Sequence, residues 1–179
     1  MQPVIPSVLF HGSTTHIEQV DLSFSVPRKD FGQGFYATTE QAQAERFARN
    51  KRKQRGTADC YVNVYECRPL PCVNIFQFQA PDMDWLDFVL FNRGFLNKDG
   101  GGWPWLNGAP DIIIGPVAND TVGLVLGLLT SGAYGDPMSE DAKLTAIRLL
   151  KPEKLVDQVF FATSNAVRSL TFREAIHVA

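Results

Sequence analysis

The chain has 179 residues, 45% of them hydrophobic and 20% charged, with a formal charge of −2. That is enough for one domain with a sizeable core, too little for two ordinary domains, and too apolar for a disordered chain. The longest apolar stretch, Val122 to Leu129, is less than half the length of a membrane-spanning helix, so no membrane partner is expected.

Taken in chain order, Ser7 to Phe10 reads as a short buried strand running into His11-Gly12-Ser13. Thr14 and Thr15 can cap a turn or short helix before a loop from Asp21 to Asp30, and Gly34 to Ala37 is a second strand. Thr39 reads as an N-cap with Glu40 in the first turn, and Ala42, Ala44, Phe47 and Ala48 give that helix one apolar side. Tyr61 to Tyr65 alternates as a half-buried strand should. Asp84 to Leu96 reads as an amphipathic helix with Trp85, Phe88, Val89 and Phe95 as core candidates, followed by a glycine-rich break at Lys98 to Gly108. Asp111 to Ile114 has the β-branched run of a buried strand, stopped by Gly115-Pro116. Helices follow at about Asp120 to Thr130 and Ser139 to Leu150. Leu155 to Ala162 and Leu170 to Ile176 then suggest a last strand pair, with Ser164 to Ser169 helical between them. Short strands mixed with helices, without regular βαβ alternation, predict a single α+β domain over residues 1–179.

The near-neutral charge hides an asymmetry. Arg46 to Arg55 holds six basic residues and no acidic one, which leaves eleven basic against nineteen acidic residues elsewhere, a balance of −8. A protein that coats DNA would be basic throughout. The tract is open to two readings, a solvated helix end or a contact for nucleic-acid phosphates. No basic segment leads into a long hydrophobic run at the N-terminus, so no secretory signal is expected. Cys60, Cys67 and Cys72 fit no zinc spacing. A reduced, cytoplasmic location is therefore expected for them.

Several chemistries lack their motifs. There is no HExxH, no paired CxxC, no GxxxxGK[ST] and no GxSxG after a strand, and three scattered histidines predict no metal site. What remains is a set of polar residues on apolar strands. His11 would emerge where its strand stops, and Gly12 would let a ligand approach the backbone, its N–H and C=O free to pair with an amide. Tyr36 could present a flat face for stacking, and Gln158 sits within Leu155 to Phe161. Singly, each has a plainer reading: a satisfied structural histidine, a core tyrosine, a tight turn at Gly32-Gln33-Gly34.

In combination, His11-Gly12-Ser13 followed by Phe31-Gly32-Gln33-Gly34-Phe35-Tyr36-Ala37 resembles the two signature segments of the ADP-ribosyltransferase superfamily, in its poly(ADP-ribose)-polymerase and diphtheria-toxin-like branch. Asp157-Gln158-Val159-Phe160-Phe161 is similar to the third motif, with Gln158 where that branch has a glutamate. The pattern is closest to a bacterial family of uncharacterised proteins. The resemblance implies a split mixed or antiparallel sheet core with flanking helices and NAD as substrate, without a metal. By it, His11 would bond the adenosine-side ribose, Gly12 would grip the nicotinamide carboxamide and Tyr36 would stack on the ring. Ser13, Phe31, Gly34, Phe35 and Phe47 would complete the NAD site, with Arg28 a partner for the pyrophosphate or else a solvated loop residue.

Three positions depart from the pattern. Ala44 stands where a serine would bond the carboxamide, and Phe47 where a second stacking tyrosine would lie. Gln158 keeps a hydrogen bond to ribose but loses the charge, so polymer elongation is not expected. Asp157, Asp111 or Asp30 could supply the missing charge, Asp111 first among them at the head of a buried strand, although a cap or turn residue is its favoured reading. The expected function is a mono-ADP-ribosyltransferase, a bacterial toxin or effector whose acceptor is a protein or nucleic acid and whose partners include an antitoxin or immunity protein. Its alternative is a binding module for NAD or ADP-ribose without turnover.

Overall fold

The computed structural model describes residues 3–96, 103, 106, 108–117, 120–150 and 155–179. Among them seven strands form one mixed sheet: β1 (Val8–Ser13), β2 (Phe35–Thr38), β3 (Tyr61–Cys67), β4 (Ile75–Gln77), β5 (Ile112–Val117), β6 (Val156–Phe161) and β7 (Leu170–His177). The helices are α1 (Gln41–Arg55), α2 (Met83–Asn92), α3 (Asp120–Thr130), α4 (Glu140–Leu149) and the single turn α5 (Ser164–Val167). The α+β class is as expected. Most of the Lys98 to Gly108 break lies outside the described residues.

The strand order is β4-β5-β6-β2-β1-β3-β7. Only β4 and β5 run parallel, and the other neighbours are antiparallel. The last two strands, consecutive in the chain and expected to pair, are separated by three others. β6 lies between β5 and β2, and β7 closes the far edge against β3. The sheet is nearly divided in the middle. β2 is fully paired to β6, and β1 to β3 over all six of its residues, but β1 and β2 share one paired position, Phe10 opposite Thr38.

Local rules account for most element ends. Asp82, Ser139 and Thr163 cap α2, α4 and α5 by accepting from backbone N–H groups of the first turn. The α1 cap is Glu40 rather than Thr39 and makes no side-chain bond, while Thr38 Oγ1 accepts from the Glu40 N–H at 3.2 Å. α2 stops at Asn92, four residues short of the expected end, where the N–H groups of Phe95 and Leu96 both turn back to Leu90 O. β1 continues through His11-Gly12-Ser13 because β3 pairs with it to the end, so His11 lies within a strand and not beyond one. β5 likewise runs through Gly115-Pro116. Residues of one parity turn their N–H and C=O to the same neighbour. Asp111 O accepts from Ala162 N and Ile114 O from Phe78 N, so position 116 points away from β6, on the side where β4 has already ended. There a missing N–H costs no ladder bond, and Trp85 Nε1 donates to the Pro116 carbonyl at 2.8 Å.

The core lies on both faces. On one, α1 packs Ala44 and Ala48 against Val62 and Val64, and α2 to α4 cover Ile113 and Phe160 with Trp85, Leu86, Leu126 and Ala146. On the other, Leu9, Phe35, Tyr65, Val159 and Phe161 are covered by Ala166 of α5 and by Val20 and Leu22.

Candidate functional site

The gap between β1 and β2 opens a groove of about 1390 Å³. Ser7 O accepts from Cys67 N, so the odd residues of β1 turn their backbone groups to β3 and the even ones, Gly12 included, to the β2 side. No residue of β2 is in register with Gly12. Its N–H and C=O therefore face the groove, as a backbone grip on a ligand requires. The absence of a side chain has a second cause. A Cβ on Gly12 would run into Ala44 O and lie 2.8 Å from Ala48 N, so α1 sits directly on the strand.

Because Gly12 faces α1, its neighbour His11 faces the opposite layer and stacks on Phe35 at 4.5 Å. Tyr36 is on the α1 side, packed on Phe160 at 4.7 Å. These two residues thus approach the groove from opposite faces of the sheet, and the parting of β1 from β2 lets both line it. His11 spans the gap: Nδ1 lies 2.6 Å from Tyr36 O. A carbonyl can only accept, so Nδ1 carries the proton. Burial, with the Lys51 and Lys29 charges adding to it, holds the His11 pKa down to about 3. The ring is neutral and Nε2 is an acceptor, suited to a ligand hydroxyl.

That neutrality makes stability depend on pH. A group whose folded pKa is lowered from 6.5 to about 3 binds its proton in the unfolded chain first, so its contribution is complete above the unfolded value and is lost as pH falls towards 3. With His11→Gln, the stability gap to wild type is expected to shrink by on the order of 2 kcal/mol between pH 7 and pH 4, allowing for the residue's partial exposure. Urea unfolding at both pH values checks this, and a gap that stays constant refutes a neutral His11.

The Phe31-Gly32-Gln33-Gly34 segment is tied down at several points. The Tyr36 hydroxyl donates to Gly32 O at 2.9 Å and accepts from Phe31 N at 3.0 Å. Ser25 Oγ donates to Gly34 O at 2.7 Å and accepts from Gly34 N at 2.9 Å. Asp30, buried, pairs with Arg93 Nε at 2.6 Å and so joins the loop to the end of α2. Gly32 takes a positive φ of 98°, the turn its residue type allows. Arg28 also has φ 63° and lines the groove, exposed.

Of the expected site residues, His11, Gly12, Ser13, Arg28, Gly34, Phe35, Tyr36, Phe47 and Gln158 all line the groove. Phe31 does not: it is 3% exposed and packs on Phe78, Phe88 and Phe160 as a core residue. Gln158 stands opposite Thr38 and Gly115 on β6. Of the three carboxylates considered as substitutes for its missing charge, only Asp30 lines the groove. Asp111 is a structural cap, accepting from Thr163 Oγ1 at 2.5 Å and Asn74 N at 2.9 Å. Asp157 is exposed on β6 and does not line the groove.

Sequence reasoning missed Lys29 and Gln43, and it left open the direction of Lys51 and Arg55. All four line the groove, and Gln43 Oε1 is buried without a partner among the described residues. The signal was present: Gln43, Phe47, Lys51 and Arg55 recur every four residues on the helix that follows Tyr36, hence on one face. Six lining residues are basic and three acidic. Burial lowers the Lys51 pKa to about 8, with Lys29 and Arg55 contributing, and burial also lowers Lys29. Among the described residues no cluster of three potential metal ligands occurs, no helix is long and apolar enough to cross a membrane, and all three cysteines are free.

Compared with known families, residues 7–172 match the one described as protein of unknown function DUF3990. The chain belongs to this family. The match spans every strand of the sheet except the last residues of β7 and includes the whole groove lining. No curated protein and no solved structure matches the chain.

Proposed function

We propose that this DUF3990 protein is a NAD-dependent mono-ADP-ribosyltransferase, a bacterial toxin or effector that modifies a protein or nucleic acid in the cytoplasm and is held in check by an antitoxin or immunity protein. The observation that carries the reading is the groove at the β1–β2 gap, where His11, the Gly12 backbone, Tyr36 and Gln158 line one space, as the resemblance to the ADP-ribosyltransferase superfamily and its split sheet requires.

The reaction asks for placement more than covalent chemistry. The bond from ribose C1′ to the nicotinamide nitrogen breaks, and its electron pair neutralises the pyridinium. An acceptor atom then bonds C1′ and releases its proton. Fixing the sugar and the leaving group lowers the barrier to this oxocarbenium-like passage. In the proposed roles His11 Nε2 accepts a ribose hydroxyl, the Gly12 N–H and C=O pair with the carboxamide, and the Gln158 amide bonds the ribose. The Lys29 ammonium lies 5.2 Å from the centre of the Tyr36 ring, so a nicotinamide stacked on that face would take its place.

A specific observation favours a second reading, binding without turnover. Gln158 carries no charge, and the one substitute carboxylate in the groove, Asp30, is already paired with Arg93. Incubation with NAD labelled in the adenylate half, with lysate, separates the readings. Transfer with nicotinamide release is expected, reduced about a hundredfold by His11→Ala through lost positioning. Tyr36→Phe keeps the ring but frees the loop, and is expected to weaken NAD binding. Undiminished transfer by His11→Ala would remove the assigned site. Tight NAD binding with no nicotinamide released would establish the second reading instead.

A further inference from the structure

The groove wall shared by α1 and the loop before β2 gathers positive charge that its own side chains do not neutralise. Lys51 Nζ lies 4.6 Å from the centre of the Phe47 ring, and Lys29 Nζ reaches the Tyr36 ring from the loop. Arg55, one turn beyond Lys51, is anchored by its Nη1 donating to Thr14 Oγ1 at 3.2 Å. Among the described residues none of the three forms an ion pair. The groups that feel their charges are neutral His11 on β1 and Asp30, which is committed to Arg93. Arg28 and Arg46 line the same groove with the same sign.

Like charges half-withdrawn from water and set side by side cost stability. Two are lysines, which suit a point contact to phosphate, and the third is an arginine, which suits a forked one. We propose that Lys29, Lys51 and Arg55 form a cradle for the diphosphate of a nucleotide ligand. The nucleotide rests on the reading given above, whereas the diphosphate rests on the charges alone. A nucleic-acid backbone is the weaker candidate, because Lys29 and Lys51 are half-buried inside a concavity and Arg49 is occupied by Glu45 and by the Ala179 carbonyl.

The test is calorimetric titration with inorganic pyrophosphate, at pH 8 and pH 6, each in two buffers of different ionisation enthalpy. Lys51, with a pKa near 8 in the free protein, regains its proton when an anion settles beside it. At pH 8 wild type should therefore take up a fraction of a proton more than Lys51→Met, a difference in which the protons released by pyrophosphate itself cancel. At pH 6 Lys51 is charged in both states and this difference vanishes. Lys51→Met and Lys29→Met, on separate elements, should each weaken pyrophosphate about tenfold. Lys51→Met should also raise the melting temperature, which a structural lysine would not do. Pyrophosphate binding unchanged in both variants overturns the cradle, as does an oligonucleotide that binds where pyrophosphate and ADP do not. NAD bound equally by wild type and both variants overturns the cradle but spares the proposed function. Pyrophosphate lost in the variants, with no NAD binding by wild type, does the reverse.

Discussion

Gly12→Ala is expected to lower stability by about 3 kcal/mol, the upper end for a small residue enlarged in a packed site. For a chain of this length that is roughly 6–12 °C in Tm. The atoms a methyl would meet belong to the α1 backbone, Ala44 O and Ala48 N, which cannot rotate away as a side chain can. The helix must therefore lift from β1, and it carries Gln43, Phe47 and Lys51 with it, so ligand binding should fall together with stability. Gly123→Ala supplies the opposite expectation. Gly123 is exposed on α3, a Cβ there meets nothing within 4 Å, and alanine should add about 0.5–1 kcal/mol through the unfolded chain and helix propensity. Thermal unfolding of both variants measures the difference. A Gly12→Ala protein that melts with wild type would mean that α1 is not seated on the strand.

Asp30→Ala is the second large effect, about 3 kcal/mol and at the lower end for breaking a buried ion pair, because the Arg93 side chain keeps 23% of its exposure. Asp30 itself is 3% exposed, and it joins the Phe31–Gly34 loop to the end of α2. Its loss leaves Arg93 unpaired and releases the segment that holds Tyr36 and Lys29 in place. Urea unfolding of Asp30→Ala, Arg93→Ala and the double variant gives the coupling between them, expected at 1 kcal/mol or more by analogy with contacting pairs (about 0.5–3 kcal/mol). Additive losses would show that the two act independently.

Much of the local structure was legible because its causes are local. Alternation at Tyr61 to Tyr65 and the β-branched run at Ile112 to Ile114 each specify an element from within a few residues. β4 was missed because three residues carry no readable period, and its place comes from the parallel partner β5. Pro116 read as a stop because its tolerance depends on β4 ending opposite Ile114, two positions earlier, and β4 lies in another part of the chain. Phe31, inside a segment that reads as ligand-binding, belongs to the core because α2 and β6 bring Phe88 and Phe160 against it.

For the site, the residue types and their order along the chain were enough to nominate His11, Gly12, Tyr36 and Gln158. Length suggested one domain, the mixture of short strands and helices predicted the α+β class, and the charges marked the basic tract from Arg46 to Arg55. What they leave undecided is neighbourhood. That β1 and β2 part after one paired position, that His11 and Tyr36 come to one groove from opposite faces, and that Lys51 and Arg55 turn towards Lys29 while Arg49 turns to Glu45 are matters of long-range pairing and helix rotation. A side chain's propensity is set by its own backbone, but its partner is set by the strands and helices packed beside it, and only the tertiary structure decides those.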